Sequence, residues 1–404
     1  MYIKRAIESK IIEASKFYPI VMVCGPRQVG KTTVLQEVSK NFPRPIKYVT
    51  FDNISLRTLA KSDPQLFLQQ YEPPLFIDEF QYAPEILPYL KMKVDAAQES
   101  GQYFLTGSQL FPMMKNVSES LAGRVAILTL TSLSDREMHK LESQPFLPTN
   151  PIPSRSLTIT QLFQQIYRGT MPKVIANPEL TVEDFYASYI STYIERDIRE
   201  ITNIQNESKF LRFLGCLAAR TGQELIINDL AKDVEIDNKT AAAWLSILLS
   251  SGLVFALPPY FNNTIKRLVK RNKIYFMDTG LACYLTLWNN PQSLMLSAMA
   301  GAMFETYVVS EVVKSYFNAG KDPKRYLSYY RDTSQKEIDL LINSDNIIYP
   351  IEIKKSAALD KGAIKNFSVL NKISIPRGKG AVICMIEDPL PLDEENICLP
   401  ITAI

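Results

Sequence analysis

The chain has 404 residues, 46% of them hydrophobic and 22% charged, with a formal net charge of +3 at pH 7. Its length exceeds one ordinary core and calls for two or three domains, while its charge permits a local basic patch without demanding nucleic acid as a partner. Five scattered cysteines without a CxxC pair, and a single histidine, His139, argue against structural zinc, His-rich metal sites and Cys/His relays.

The N-terminus MYIKRAIESK lacks the apolar stretch of a signal peptide, and no apolar run is long enough to span a membrane. A cytoplasmic protein with no membrane partner is the expectation. YPIVMVCGPRQVGKTTVLQEV then reads as a strand, a glycine-rich turn and a helix. The turn fits the phosphate-loop pattern GxxxxGK[ST], so the backbone of Gly25, Pro26, Arg27, Gln28, Val29, Gly30, Lys31, Thr32 and Thr33 is expected to cradle the phosphates of ATP. Lys31 reaches the β and γ phosphates, and the Thr32 hydroxyl ligates Mg²⁺.

PPLFIDEF predicts an apolar strand ending in Asp78 and Glu79. Asp78 can hold Mg²⁺ through its water shell, and Glu79 can polarise the attacking water. GQYFLTGSQ predicts a strand ending in Thr106, Gly107 and Ser108. Thr106 is a candidate for sensing the γ-phosphate or positioning the water, whereas Ser108 better suits a helix cap before Gln109. LAGRVAILTL places Arg124 before another strand. There it either compensates phosphate charge, within the chain or across a self-associated interface, or makes a salt bridge on the sheet edge. With KYVTFDN as a further strand and residues 85–98 as a crossover helix, the layout is a parallel-sheet nucleotide-binding domain.

Glu142 to Ser156, rich in Pro, Ser and Asn, reads as a linker or exposed loop. Helices are expected at 158–168 and 181–202, the latter carrying YIERDI as an ordinary amphipathic face. Residues 208–257 give a helix ending at Gly222, a short helix, a turn and a longer helix capped by Asp237 or Asn238. The apolar positions Ala241, Trp244, Leu245 and Leu248 recur at helical spacing, and LVFALPPY opens a wing-like hairpin. This is a winged-helix pattern, though Lys239 is the only base on its longer helix. KRLVKRNK, Lys266 to Lys273, supplies five basic residues, read either as a DNA contact or as a solvated or protein-docking hairpin.

In the C-terminal part, AGAMFETYVVSEVVKSYF is a helix with Glu305 among apolar neighbours. Strands follow in KRYLSYYRDTSQKEIDLLIN, NIIYPIEIKKS and GKGAVICMIE, which suits a mixed sheet flanked by helices. Asp339 and Glu352 are candidate oxygen ligands for a second Mg²⁺ or Mn²⁺, with Glu305 completing the acids. Lys354, two positions from Glu352, shares its face and could stabilise developing charge. The bland alternative is an i,i+2 salt bridge on a strand.

GPRQVGKTT, LFIDEFQ, FLTGSQ, LAGR, YIERDI, KIYFMDTGL and EIDLLI…PIEIK together resemble a widespread family of prokaryotic ATP-binding proteins. Its members join an AAA-type ATPase domain to a C-terminal domain of unknown function, numbered 4143, that is similar to the PD-(D/E)xK nuclease fold. The resemblance carries the nucleotide roles onto Gly25 to Thr33, Asp78 and Glu79. It makes Asp339 the first nuclease-type acid, Glu352 the second and Lys354 the lysine, with Glu305 on the leading helix; Ile338 stands where the pattern has proline.

The expected architecture is an α/β multidomain chain. It comprises a P-loop NTPase (AAA-type) domain at 1–140, a linker and helical segment at 141–206, a winged-helix-like domain at 207–274 and a restriction-endonuclease-like mixed α/β domain at 275–404. The expected activity is Mg²⁺-dependent ATP binding and hydrolysis coupled to DNA binding or processing. The alternative is an ATP-driven switch or scaffold whose C-terminal half is a non-catalytic protein- or DNA-docking module.

Overall fold

The computed structural model describes residues 2–108, 117, 120–149, 151, 155–193, 207–260, 271–357, 361–372 and 374–404. Near the N-terminus, β1 (Ile20–Gly25), β2 (Lys47–Thr50), β3 (Leu75–Asp78), β4 (Tyr103–Ser108) and β5 (Val125–Thr129) form a parallel sheet in the order β2-β3-β4-β1-β5. β1 is buried at every position because both sheet faces are covered. Its alternate residues serve two cores. Val21 and Val23 pack with Ile11, Val34 and Val38, whereas Ile20, Met22 and Cys24 pack with Phe67, Leu87 and Leu90. The crossover helix, Leu87–Ala97, lies where the sequence places it.

The helices Ile159–Arg168, Pro172–Ala176, Val182–Tyr193 and Glu207–Ala218 follow. Thr158 and Gln161 form a reciprocal capping box that starts the first of them. The remainder of YIERDI, and the expected helix beyond Tyr193, lie outside the described residues. Next come the helices Ile227–Val234 and Asn238–Ser250, the second capped by the Asp237 side chain on the Thr240 N–H. Strands β6 (Gln223–Glu224), β7 (Val254–Leu257) and β8 (Lys273–Phe276) form a small antiparallel sheet in the order β6-β8-β7. The expected domain limit at residue 274 therefore falls inside β8. Most of the basic strip, residues 266–270, lies outside the described residues.

The C-terminal part comprises the long helix Ala300–Asn318 and a six-stranded mixed sheet. Its strands are β9 (Leu327–Arg331), β10 (Glu337–Ser344), β11 (Ile347–Ile353), β12 (Gly380–Cys384), β13 (Leu390–Pro391) and β14 (Asn396–Pro400), in the order β13-β14-β12-β11-β10-β9. The long helix is buried along almost its whole length, and the charged Glu311 and Lys314 are buried with its apolar residues. It is the spine of the molecule. One continuous core runs from Val21 and Val23 through Phe163, Leu214 and Phe276 to Val308, Leu340 and Leu399, so the parts separated in sequence share an interior.

One expectation is corrected here. The Pro-rich stretch after Glu142 is not simply an exposed linker: Phe146 is buried, its N–H donates to Ser315 Oγ at 3.0 Å, and its carbonyl accepts from Tyr316 Oη at 3.3 Å. Repeated proline signals the absence of a helix interior, not exposure. Among the described residues no helix is long and apolar enough to cross a membrane.

Candidate functional site

Gly25 to Thr33 connect the C-terminal end of β1 to the helix Lys31–Lys40. Two glycines shape the turn. A Cβ at Gly25 would lie 2.0 Å from the Leu130 carbonyl oxygen, and Gly30 has a φ of 92°. Lys31 is buried at the helix start, its Nζ donating to the carbonyls of Gly25 at 3.1 Å and Pro26 at 2.9 Å. Asp78, at the end of β3, gathers three hydroxyls. Thr32 Oγ1 donates to its two oxygens at 2.9 and 3.1 Å, Tyr48 Oη donates at 3.0 Å, and Thr106 Oγ1 donates as well. Burial, then the Asp78 charge, pushes the Tyr48 hydroxyl up to about 12. The next residue, Glu79, has a left-handed backbone with φ 55° and accepts from Gln81 Nε2. A carboxylate and a hydroxyl meeting beside a helix N-terminus form a donor set that suits Mg²⁺.

Arg124 is elsewhere. Ile20 pairs with Val125 and Cys24 with Thr129, so Arg124 precedes β5 at the end of the sheet opposite the phosphate loop. The separation along the strand is about 20 Å. Its Nε and Nη2 grip Asp95 at 2.5 and 3.0 Å. Within the chain it is the sheet-edge salt bridge, not a phosphate ligand. Ser108's side chain and the helix expected from Gln109 lie outside the described residues.

A cavity of about 390 Å³ adjoins the loop, bordered by Tyr2, Ile3, Val29, Gly30, Leu133 and Pro172. Arg5 fastens its wall. Nη1 donates to the Val29 carbonyl at 2.8 Å, Nη2 to the Thr131 carbonyl at 2.9 Å, and Nε to Glu137 Oε1 at 2.9 Å.

The C-terminal candidates also converge. Leu340 pairs with Ile351 across β10 and β11, which brings Asp339 beside Glu352. The Ile353 N–H donates to Asp339 Oδ2 at 2.8 Å, and Lys354 Nζ donates to Glu352 Oε1 at 2.6 Å. Glu305 projects from the long helix, where its Oε1 accepts from Tyr275 Oη at 2.6 Å and from Lys273 Nζ at 3.1 Å. Lys273 also pairs with Glu337 at 2.5 Å. Burial, then Glu305 and Glu352, holds the Asp339 carboxyl well above the usual carboxylate range. Burial pulls the Lys273 amine down, but Glu305, Asp339 and Glu337 outweigh it and hold the amine up.

As arranged, this cluster does not fit the expected second Mg²⁺ or Mn²⁺. Among the described residues no group of three or more His, Cys, Asp or Glu side chains is placed to hold a metal ion. An ammonium stands against the acids, and other donors already engage one oxygen each of Asp339 and Glu352. A further correction concerns the basic strip: Lys273, its last member, is a buried ion-pair partner rather than a solvated base.

A family model described as an AAA domain matches residues 18–139, the stretch holding the phosphate loop, Asp78 and Thr106. The chain carries an AAA-type ATPase domain. Models described as domains of unknown function match residues 159–292 (DUF8612) and 300–404 (DUF4143). Uncharacterised proteins of Mycobacterium bovis and Mycobacterium tuberculosis are each 26% identical over 398 residues, spanning 98% of this chain and 83% of theirs. Among solved structures, a Walker-type ATPase of Pyrococcus abyssi shares 16% identity over 71% of this chain and 96% of its own, with a TM-score of 0.45. The Thermotoga maritima RuvB Holliday junction branch migration motor shares 18% over 61% and 86%, with a TM-score of 0.31.

Around the phosphate loop, sequence reasoning missed Tyr48 and Arg5. Tyr48 lay within a predicted strand whose partner was unknown. Arg5 bonds a residue 132 positions away, and nothing local marks it. Lys273 did carry a signal, because it opens the quoted motif KIYFMDTGL directly before an apolar strand.

Proposed function

We propose that the chain binds and hydrolyses Mg·ATP at the phosphate loop and uses the nucleotide state to switch the disposition of its C-terminal half. The observation that carries this reading is the convergence of Thr32, Thr106 and Tyr48 on Asp78 beside Lys31. The loop N–H groups and the start of the helix Lys31–Lys40 receive the phosphates, and Lys31 exchanges its carbonyl partners for β and γ oxygens. Thr32 and Asp78 are the residues that would hold Mg²⁺, which when bound neutralises charge on those oxygens. Glu79 orients and polarises the attacking water, with Thr106 beside it. The cavity between Tyr2, Ile3, Leu133 and Pro172 takes the base and ribose, an apolar slot continuous with the loop.

In this reading the C-terminal half is a docking module and not a nuclease. Support comes from the buried lysine that stands among its acids. The test is ATP binding and phosphate release by the full chain and by Lys31→Ala. Loss of both in the variant is expected, and turnover equal to the parent's would refute the assignment. Incubation with labelled single- and double-stranded DNA and Mn²⁺ tests the second half. Cleavage that disappears in Asp339→Ala would replace docking with DNA processing.

A further inference from the structure

We propose that Lys273 is the resident cation of the acid cluster formed by Glu305, Glu337, Asp339 and Glu352, and that its ammonium closes this cluster to divalent metal. The lysine belongs to β8 of the small sheet, whereas the acids belong to the long helix and to β10 and β11. Its side chain is only 4% exposed, with Nζ between Glu305 at 3.1 Å and Glu337 at 2.5 Å and 5.5 Å from the centre of the Tyr329 ring. Four carboxyl groups in one partly buried cluster repel unless positive charge or protons lie among them. The ammonium supplies one charge, and Lys354 supplies another from the rim.

A second observation shows that the pocket has acceptor capacity to spare. Glu352 is 7% exposed, and its Oε2 is buried with no hydrogen-bond partner among the described residues. The cluster thus gathers carboxyl oxygens from three elements, and an amine from a neighbouring part of the chain stands against two of them, Glu305 and Glu337. Lys273 is the specificity-determining residue: with the amine present the pocket holds a monovalent side-chain cation, and without it the same oxygens suit Mg²⁺ or Mn²⁺. This inference rests on the lysine-filled reading of the C-terminal half and is independent of the ATPase assignment.

The test uses Mn²⁺ alone, titrated into the nucleotide-free full chain and followed by the electron paramagnetic resonance of free Mn²⁺. Lys273→Met, which keeps the apolar stem, is expected to gain one Mn²⁺ site, and Glu352→Gln added to it to lose that site. Thermal unfolding gives a second readout, since Mn²⁺ should raise the Tm of Lys273→Met by more than it raises the parent's. A Mn²⁺ site in the parent that Glu352→Gln abolishes would overturn the proposal, as would a folded Lys273→Met that binds no additional Mn²⁺. Should Lys273→Met fold only when Mn²⁺ is present, that rescue, absent in the Glu352→Gln double variant, is the predicted gain in another form. Failure to fold with or without Mn²⁺ counts against it. Neither result depends on the Lys31→Ala experiment.

Discussion

Arg5 Nη1 donates to the Val29 carbonyl oxygen at 2.8 Å, so the chain's first few residues are bonded directly to the phosphate loop. The same guanidinium pairs with Glu137, whose Oε1 also accepts the Ala6 N–H. Both side chains are almost fully buried. Arg5→Ala leaves a buried carboxylate without its partner, and such a loss costs about 3–5 kcal/mol. It also frees the Val29 carbonyl and the wall of the cavity beside it. We expect a large fall in unfolding free energy by urea titration together with weaker ATP binding. Arg5→Lys should recover part of the stability but not the three-way fork. An Arg5→Ala protein as stable as the parent would show that this contact carries no weight.

Stability against pH offers a test with two opposite signs. The Glu137 carboxyl sits below its ordinary value of 4.5: burial would raise it, but the Arg5 charge and hydrogen bond, with the N–H groups of Ser134 and Ala6, outweigh burial. Its contribution is present above 4.5 and is lost as pH falls through the lower folded value. Glu311 behaves the other way. Burial holds its carboxyl up against the opposing pull of Lys314, so its contribution is present at low pH and is lost as pH rises through the raised value. Relative to Glu137→Gln, the parent should therefore gain stability as pH rises from the lowered folded value up to 4.5, and keep that gain above it. Relative to Glu311→Gln, it should lose stability over the rise. Urea unfolding at a series of pH values reads both differences, and two flat differences would contradict these assignments.

The phosphate loop and the acid at the end of β3 were legible in the sequence because they are local motifs set by backbone geometry. The loop needs glycine where a Cβ would strike the Leu130 carbonyl, and a strand of unbroken apolar residues announces burial on both faces. The motif KIYFMDTGL was visible, but its reason was not. Asp278 caps the helix Thr279–Leu285 through the Leu281 N–H, accepts from the Thr170 N–H, and accepts from Tyr186 Oη. These partners are 108 and 92 residues away, and only the folded chain brings them together. The C-terminal acids were likewise legible as a group because β10 and β11 are consecutive strands. Lys273, which fills the space among them, arrives from another sheet, so the pattern alone suggested a metal where the fold places an amine.

The long helix bonds to Leu133 and Asp135, beyond β5, through a buried ion pair. Lys314 Nζ donates to Glu311 Oε1 at 2.8 Å, to the Leu133 carbonyl at 3.1 Å and to Thr170 Oγ1 at 3.0 Å, while Glu311 Oε2 accepts the Asp135 N–H at 2.7 Å. Leu133 borders the cavity assigned to the base, and Glu305 lies on the same helix among the C-terminal acids. A nucleotide that shifts Leu133 therefore pushes on the helix through Lys314. Removing the amine alone, as in Lys314→Met, strands a buried carboxylate and should cost about 3–5 kcal/mol. Replacing both partners, Glu311→Leu with Lys314→Met, removes the unpaired charge and should cost markedly less than Lys314→Met alone, although the Asp135 N–H and the Leu133 carbonyl lose partners. Hydrogen exchange then separates structure from coupling. Nucleotide added to the parent should change amide protection in the helix Ala300–Asn318, and the double variant should bind nucleotide but lose that response. A response preserved in the double variant would place the connection elsewhere in the shared core.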